Sequence, residues 1–166
     1  GYVFARLAHD HGLSVTVYQC KAVEDLPHAA KHYAILALDA GVDFQAADEP
    51  IDSEVELIVD ALLGIGIKGP VHGLIANAIH QINLSGLPVI SLDIPSGLNA
   101  DTGKVSNVCV SANATLTFIG LKAGMFTLDG PDYCGEIHCR NLQLDACLNK
   151  LNPLAFLLHD ELMHLP

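Results

Sequence analysis

Two aspartates of this chain stand where a side chain could do chemistry, because each ends an apolar stretch. Asp60 follows the residues VELIV, and Asp93 follows PVISL and opens a stiff turn through Pro95 and Ser96. A carboxylate in such a place is costly to bury unless it is paired, hydrated or bound to a ligand. We expect one carboxylate to serve a cation and the other to act as an acid or base, with helix or loop capping as the structural alternative. Oxygen ligands, a single carboxylate with the Ser96 hydroxyl, suit a hard and weakly held cation better than zinc.

A glycine-rich segment lies between the stretch that ends near Asp60 and the next predicted helix. Its spacing, G-x-G-x-x-G, lets backbone N–H groups approach a phosphate, and the helix N-terminus adds partial positive charge. Asp93 follows the third glycine by 24 positions, at a strand end where dinucleotide folds place a ribose-binding carboxylate. The alternative is a tight turn that uses glycine for its backbone freedom. The segment consists of Gly64, Ile65, Gly66, Ile67, Lys68, Gly69 and Pro70.

Two further groups of side chains have a chemical and a structural interpretation. Lys122 follows another apolar run, so we expect it at the same edge as the aspartates, with an ordinary solvated lysine as the alternative. His28 and His32 have the spacing of a zinc-binding pair on a helix, but the sequence offers no evident third ligand. We therefore interpret the two histidines as solvated.

The elements that must position these residues alternate between strand and helix. Nearly continuous apolar strands separated by helices of roughly 10–15 residues predict an α/β fold, a doubly wound and mostly parallel sheet covered on both faces. Ligands of such sheets bind at the carboxyl ends of the strands. We interpret the acidic residues 43–54 as a solvated loop. The predicted helices are 2–11, 27–40 and 71–83, and the predicted strands are 13–19, 55–63, 88–94, 114–121 and 136–144, the last being nearest an edge.

The composition narrows the partners that this chain can have. Its 166 residues are 51% hydrophobic and 16% charged, which excludes a disordered chain and fits one domain. Eight Lys plus Arg against 19 Asp plus Glu give a formal charge of −11, which argues against nucleic acid or an anionic membrane. No apolar run reaches the ~18–20 residues that a membrane span needs. Five cysteines without a C-x-x-C pair predict reduced thiols in a cytoplasmic protein.

Three long motifs follow one another along the chain: VDALLGIGIKGP, LDIPSGLNADTGKV and ANATLTFIGLKAGM. Their order and spacing resemble those of the NAD(P)H-hydrate epimerase family, the YjeF N-terminal domain, from Gly1 to about Asp145. The resemblance implies a Rossmann-like three-layer αβα sandwich and a homodimer. It also implies the isomerase activity of the family, which interconverts the R and S forms of hydrated NADH and NADPH (NADHX and NADPHX) in cofactor repair.

The resemblance also implies roles for the residues named above. Asp60 and Ser96 match the family's potassium ligands, and residues 64–70 match its nucleotide-binding loop. Asp93 matches a substrate-contacting, catalytic carboxylate, and Lys122 matches a recurrent lysine that we place with it among the catalytic residues. In this interpretation Asp93 helps hydroxide to leave the hydrate and water to return, so that no C–H bond need break.

The same relatives suggest where the domain begins and ends. A G-N-N-G-G-D-G loop precedes in them the helix that begins here at residue 2, which implies an epimerase domain over residues 1–150 that is truncated at its N-terminus. Residues 151–166 then form a connector or tail. This tail is similar to the segment that leads, in bifunctional relatives, into an ADP- or ATP-dependent dehydratase (lyase) domain. Asn113 departs from the family pattern, in which aspartate is frequent.

Two other functions stay open on the sequence. An NAD-dependent dehydrogenase would use the same glycine-rich segment and would bind the ribose with Asp93, but its catalytic His or Tyr is not evident. A non-catalytic nucleotide-binding or scaffold domain is compatible with the acidic surface. Tight binding of intact NADH would favour the dehydrogenase, and binding without turnover would favour the scaffold.

Overall fold

The computed structural model describes residues 1–144 together with Ala155 and Leu157, and in this part of the chain strands and helices form an α/β fold. The predicted connector over residues 151–166 and the domain boundary at residue 150 lie outside the described residues, apart from those two positions. The helices are α1 (Tyr2–Asp10), α2 (His28–Asp39), α3 (Gly73–Leu84) and α4 (Gly130–Cys134), and the strands are β1 (Thr16–Gln19), β2 (Asp43–Ala46), β3 (Ile58–Asp60), β4 (Val89–Leu92), β5 (Ala114–Phe118) and β6 (Glu136–Arg140).

The strands form two separate hydrogen-bonded sheets, in which all the strand pairs of the described residues are parallel. β1 pairs with β2, and the larger sheet has the order β3-β4-β5-β6. The strand β6 lies at one edge, as its alternating pattern predicts. Because all four strands of the larger sheet run the same way, their carboxyl ends meet at one edge of the fold.

The strand β2 corrects the sequence interpretation of residues 43–54, which predicts a solvated loop throughout. Asp43–Ala46 pair with β1 in register, so that Phe44 stands opposite Val17. Phe44 and Val17 pack against a small core formed by Ala5, Ala37 and Val42. The acidic residues hide this strand in the sequence, because only its inward side chains carry the apolar signal.

The helix α3 covers β3 and β4 through a small apolar core. Ile79 and Ile82 of α3 are buried together with Val89, the first residue of β4, and Val110. This packing fixes the two strands that end at the predicted site. Within the described residues, no helix combines the length and the apolar character that crossing a bilayer requires.

A second core lies directly beneath the turn that follows β4. Ile94 and Leu98 have no exposed surface and pack with Met125 and with the thiols of Cys109 and Cys134. Burial raises the pKa of the Cys134 thiol to about 11, so this thiol stays protonated and unreactive at neutral pH. The turn is thus anchored at both ends by apolar packing, which holds the polar residues between them in place.

Candidate active site

The carboxylate of Asp60 is buried at the carboxyl end of β3 and accepts four hydrogen bonds. Asp60 stands beside Ser91 in the parallel ladder of β3 and β4. Its Oδ2 accepts from the Ser91 hydroxyl and from the Ser96 N–H, both at 2.8 Å. Its Oδ1 accepts from the Ser96 hydroxyl at 2.6 Å and from the Leu62 N–H at 3.2 Å. Asp60 therefore ties the turn after β4 to the end of β3.

The electrostatics of Asp60 reflect two opposing effects. The residue is 1% exposed, and burial raises the pKa of its carboxyl above the ordinary value. The hydrogen bonds from Ser96, Ser91 and Leu62 act in the opposite direction, because they stabilise the charged form. The charged form of the Asp60 carboxyl therefore depends on these hydrogen bonds to offset the cost of its burial.

The oxygen atoms around Ser96 have the chemistry of a site for a hard cation. The Ser96 Oγ touches Asp60 Oδ1 and lies 3.3 Å from the Leu63 carbonyl oxygen. A carboxylate, a hydroxyl and a carbonyl offer one negative charge and oxygen donors, which suits potassium and does not suit zinc. Among the described residues, no group of three or more His, Cys, Asp or Glu is placed to hold a metal ion. The donor set therefore fits a potassium ion.

Asp93 lies just beyond β4, and its backbone is in a strained conformation. Its φ is 72°, a left-handed value that few residues other than glycine adopt, although aspartate and asparagine tolerate it. Its N–H donates to the Leu116 carbonyl at 2.8 Å and so continues the ladder between β4 and β5. Positive φ at a non-glycine residue persists only where the surroundings enforce it, and it is frequent at functional sites.

The two oxygens of Asp93 have different environments. Oδ1 accepts from the Lys122 ammonium, from the Phe118 N–H at 3.3 Å and, more weakly, from the Thr117 hydroxyl at 3.4 Å. Within the described part of the chain, no donor is recorded for Oδ2. The side chain is 28% exposed. One oxygen is therefore held and the other is free to meet a ligand, which is the arrangement that acid–base chemistry needs.

The ammonium of Lys122 donates all three of its hydrogens to groups in or next to Asp93. It donates to Asp93 Oδ1, to the Thr117 Oγ1 at 2.7 Å and to the Phe118 carbonyl at 3.0 Å. An ammonium has three donors, so these bonds use all of them. The structure thus brings Lys122 to Asp93, as both were expected at one edge, and its contacts are those of a residue that holds the carboxylate.

The aspartates belong to two separate clusters that the turn after β4 connects. The Asp60 carboxylate accepts hydrogen bonds from Ser91 and Ser96, and the Asp93 carboxylate accepts them from residues of β5 and from Lys122. Among the described residues, the two carboxylates therefore share no hydrogen-bond partner. Gly97 closes the turn with a φ of 107°, and a Cβ there would lie 2.1 Å from the Val108 carbonyl oxygen. A side chain at this position would therefore displace the turn. The cleft of about 480 Å³ between Pro50 and Leu87 lies at the other end of the sheet, before β3 and β4.

The glycine-rich segment over residues 64–70 is exposed at the carboxyl end of β3. A Cβ at Gly64, Gly66 or Gly69 would find no described atom within 4 Å, so no packing contact requires these glycines. Gly69 has a φ of 89°, which accounts for that glycine alone. The other two leave open space beside the backbone, as a phosphate-binding loop requires.

Three side chains from the region after β4 hold this segment in position. Ser96 accepts from the Leu63 N–H at 2.9 Å, before its first glycine. Asn99 donates to the Ile67 carbonyl at 3.4 Å. Asn107 makes two bonds to Val71, accepting from its N–H at 2.9 Å and donating to its carbonyl at 2.7 Å. The segment and the residue Val71 that follows it are thus positioned by the turn that carries Asp93 and by the residues after that turn.

The sequence interpretation missed four polar residues of this region. Ser91, Thr117, Asn99 and Asn107 each bond to a predicted site residue or to a neighbour of the glycine-rich segment. A serine or threonine inside an apolar strand is a weak signal, and Ser91 and Thr117 carry it. Asn99 lies within the motif LDIPSGLNADTGKV, but nothing in the sequence pattern points to Asn107.

Comparison with known proteins finds a matching family model and several relatives of this chain. Residues 1–124 match the family model described as YjeF-related protein N-terminus. The chain is 42% identical over 137 residues to the bifunctional NAD(P)H-hydrate repair enzyme Nnr of Coxiella burnetii, covering 82% of this chain and 28% of that protein. It is 37% identical over 139 residues to the NAD(P)H-hydrate epimerase of Limosilactobacillus fermentum, covering 82% of this chain and 65% of that protein. The chain thus spans less than two thirds of either relative.

A solved structure supports the fold. The crystal structure of yeast ynu0 (YNL200c) superposes with a TM-score of 0.63 at 20% identity, over 75% of this chain and 54% of that one. This likeness bears out the α/β fold that the strand and helix pattern predicts and the Rossmann-like architecture that the family resemblance implies. The family model covers most of the chain and the aspartates, turn and lysine described above. The chain therefore belongs to the family of the YjeF-related protein N-terminus.

Proposed function

We propose that this chain catalyses the epimerisation of the R and S forms of hydrated NADH and NADPH. The relatives named as NAD(P)H-hydrate epimerases and repair enzymes support the reaction. The observation that carries the proposal is the asymmetry of Asp93, with one oxygen held by Lys122 and the other free. The name bifunctional belongs to longer relatives, and the proposal concerns the epimerisation alone.

The chemistry of the substrate explains why one carboxyl group can serve. The carbon that carries the hydroxyl group also carries the ring nitrogen. When the hydroxyl takes a proton, its C–O bond breaks, water leaves with the electron pair, and the nitrogen lone pair stabilises the resulting cation. Water then adds to either face and gives up a proton. We assign both proton transfers to Oδ2 of Asp93, whose carboxylate also stabilises the cation between the two steps.

Binding of the anionic substrate by so acidic a chain requires local donors. The formal charge of −11 repels a dinucleotide at long range. Residues 64–70 and the N-terminal turn of α3 supply backbone N–H groups, and Lys68 adds an exposed positive charge. We assign the diphosphate to this segment, with Asp93 at the nicotinamide end.

A potassium ion belongs to the same proposal. Asp60, Ser96 and the Leu63 carbonyl would hold it, since their oxygens already meet around the Ser96 hydroxyl. When bound, the ion supplies a fixed positive charge next to a buried carboxylate. The chain's own residues perform every proton transfer proposed here. A cytoplasmic location and a homodimer complete the proposal. The five cysteines without a C-x-x-C pair support the location, and the resemblance to the family supports the homodimer.

The reaction itself can be tested with isotopes. The purified protein, given one epimer of hydrated NADH in water enriched in heavy oxygen, should produce the other epimer with heavy oxygen in its hydroxyl group. In deuterated water, no deuterium should enter the carbon that carries the hydroxyl. Inversion without oxygen exchange would contradict the proposed loss and return of water, and absence of inversion would contradict the function.

The glycine-rich segment gives a prediction that separates binding from folding. Replacing Gly66 with alanine should leave the thermal unfolding temperature within about 1 °C, because its Cβ meets no described atom and its φ is not left-handed. The KM for the hydrate should rise roughly tenfold, because the Cβ occupies the space assigned to the phosphates. Steady-state kinetics and a thermal melt test both parts, and an unchanged KM would remove this segment from the binding site.

A further inference from the structure

We propose that Thr117 is a positioning residue that fixes Lys122 on one oxygen of Asp93 and leaves the other oxygen for the substrate. This inference rests on the proposed epimerase function and deepens it. Thr117 lies on β5 and has no exposed surface. It therefore cannot touch the substrate, and any influence on the reaction must pass through its neighbours.

The hydrogen bonds of Thr117 place it between the lysine and the aspartate. Its Oγ1 accepts from the Lys122 ammonium at 2.7 Å. A hydroxyl has a single hydrogen to donate, and the oxygen of Asp93 at 3.4 Å is the acceptor recorded for it. The same oxygen, Oδ1, is the one that Lys122 holds. Thr117 and Lys122 thus occupy one side of the carboxylate together.

The mobility of a lysine explains why this support is needed. The ammonium stands at the end of a four-carbon stem with many rotamers, and as a compact charge it can approach either oxygen of a carboxylate. The Phe118 carbonyl holds one of its hydrogens at 3.0 Å, and Asp93 holds another. The Thr117 hydroxyl is the side-chain group that holds the third. Without it, the ammonium can turn towards Oδ2 and compete with the substrate for the reacting oxygen.

The backbone makes Thr117 a firm support. Thr117 stands opposite Cys139 in the ladder between β5 and β6, and its neighbour Leu116 accepts the N–H of Asp93. The oxygen of Thr117 is therefore fixed relative to the backbone of Asp93. A displacement of about 1 Å in a catalytic group can cost on the order of 100-fold in rate, so this fixed distance has a functional consequence.

The test is the substitution Thr117→Val, which keeps the shape and removes the hydroxyl. We expect kcat to fall roughly 10- to 100-fold with KM changed by less than about threefold, since substrate contacts are untouched. Thr117→Ser should restore most of kcat. The matched control is Thr115→Val, because Thr115 lies on the same strand, is equally buried, and donates to the Cys134 carbonyl at 2.7 Å, away from Asp93. This control should keep its kcat.

A second measurement needs no substrate. Lys122 is 15% exposed, and its acetylation rate by acetic anhydride can be followed by mass spectrometry. Release of the ammonium should raise that rate several-fold in Thr117→Val and leave it unchanged in Thr115→Val. Equal effects of the two variants on kcat and on acetylation would overturn the inference. If the unaltered protein does not epimerise the hydrate, the proposed function fails, and the acetylation rates still decide whether Thr117 fixes Lys122.

Discussion

Replacing Asp93 with asparagine is expected to lower kcat for epimerisation by a factor of about 10²–10⁴, the usual contribution of a general acid or base. Asparagine keeps the size of the side chain and tolerates the left-handed φ of 72°. It keeps an oxygen that can accept from Lys122. It removes the negative charge and the ability to give and take a proton at the free position. The fold should therefore survive while the reaction slows.

The measurement compares the rate of epimer conversion with the thermal unfolding temperature. Asp101→Asn is the matched control, because Asp101 is exposed in the loop after the same turn and carries no proposed role. The control should change neither quantity. An Asp93→Asn protein that converts the epimers at the normal rate would exclude Asp93 from catalysis, whatever its contacts with Lys122.

Replacing Asp60 with asparagine is expected to destabilise the protein by about 3 kcal/mol, because hydrogen bonds to a charged group are stronger than neutral ones. The carboxylate accepts from the hydroxyls of Ser91 and Ser96 and from two backbone N–H groups. An amide offers one oxygen in place of two. The buried donors that bond to the other oxygen of Asp60 would therefore face an NH2 group and lose their acceptor. For a chain of this length, the loss corresponds to a fall of roughly 10 °C in Tm.

Asp129→Asn is the control for this prediction, because Asp129 accepts a single recorded side-chain hydrogen bond, from the Val105 N–H at 2.9 Å. It should lose no more than about 1 kcal/mol. The cation of the buffer gives a second readout. When potassium replaces choline, the Tm of the unaltered protein should rise, and the Tm of Asp60→Asn should stay the same. Equal losses of stability in the two variants would contradict the central structural role of Asp60. A potassium response that persists in Asp60→Asn would place the ion elsewhere.

Most of the helices and strands could be read from the sequence, but β2, the short helix α4 and the ends of the elements could not. The predicted strand 55–63 contains β3, but only Ile58–Asp60 join the ladder. Leu62 and Leu63, after β3, pack against the core without pairing, and Leu57, before it, is exposed. The hydrophobic pattern does not distinguish these cases from pairing. The strand β2 was missed for the opposite reason, since Asp43 and Gln45 interrupt a strand whose pairing with β1 is complete.

The site divides in the same way between sequence and structure. The sequence alone determined which residues are candidates for the chemistry, because an aspartate after an apolar strand, a glycine-rich segment and a lysine beyond a strand are visible as residue types in order. Only the tertiary structure decided the partners: that Ser91 and Ser96 donate to Asp60, and that Lys122 and Thr117 hold one oxygen of Asp93. Hydrogen bonds depend on distances between residues that are about 30 positions apart in the chain. Such distances are fixed by strand pairing and core packing, which one-dimensional patterns do not encode.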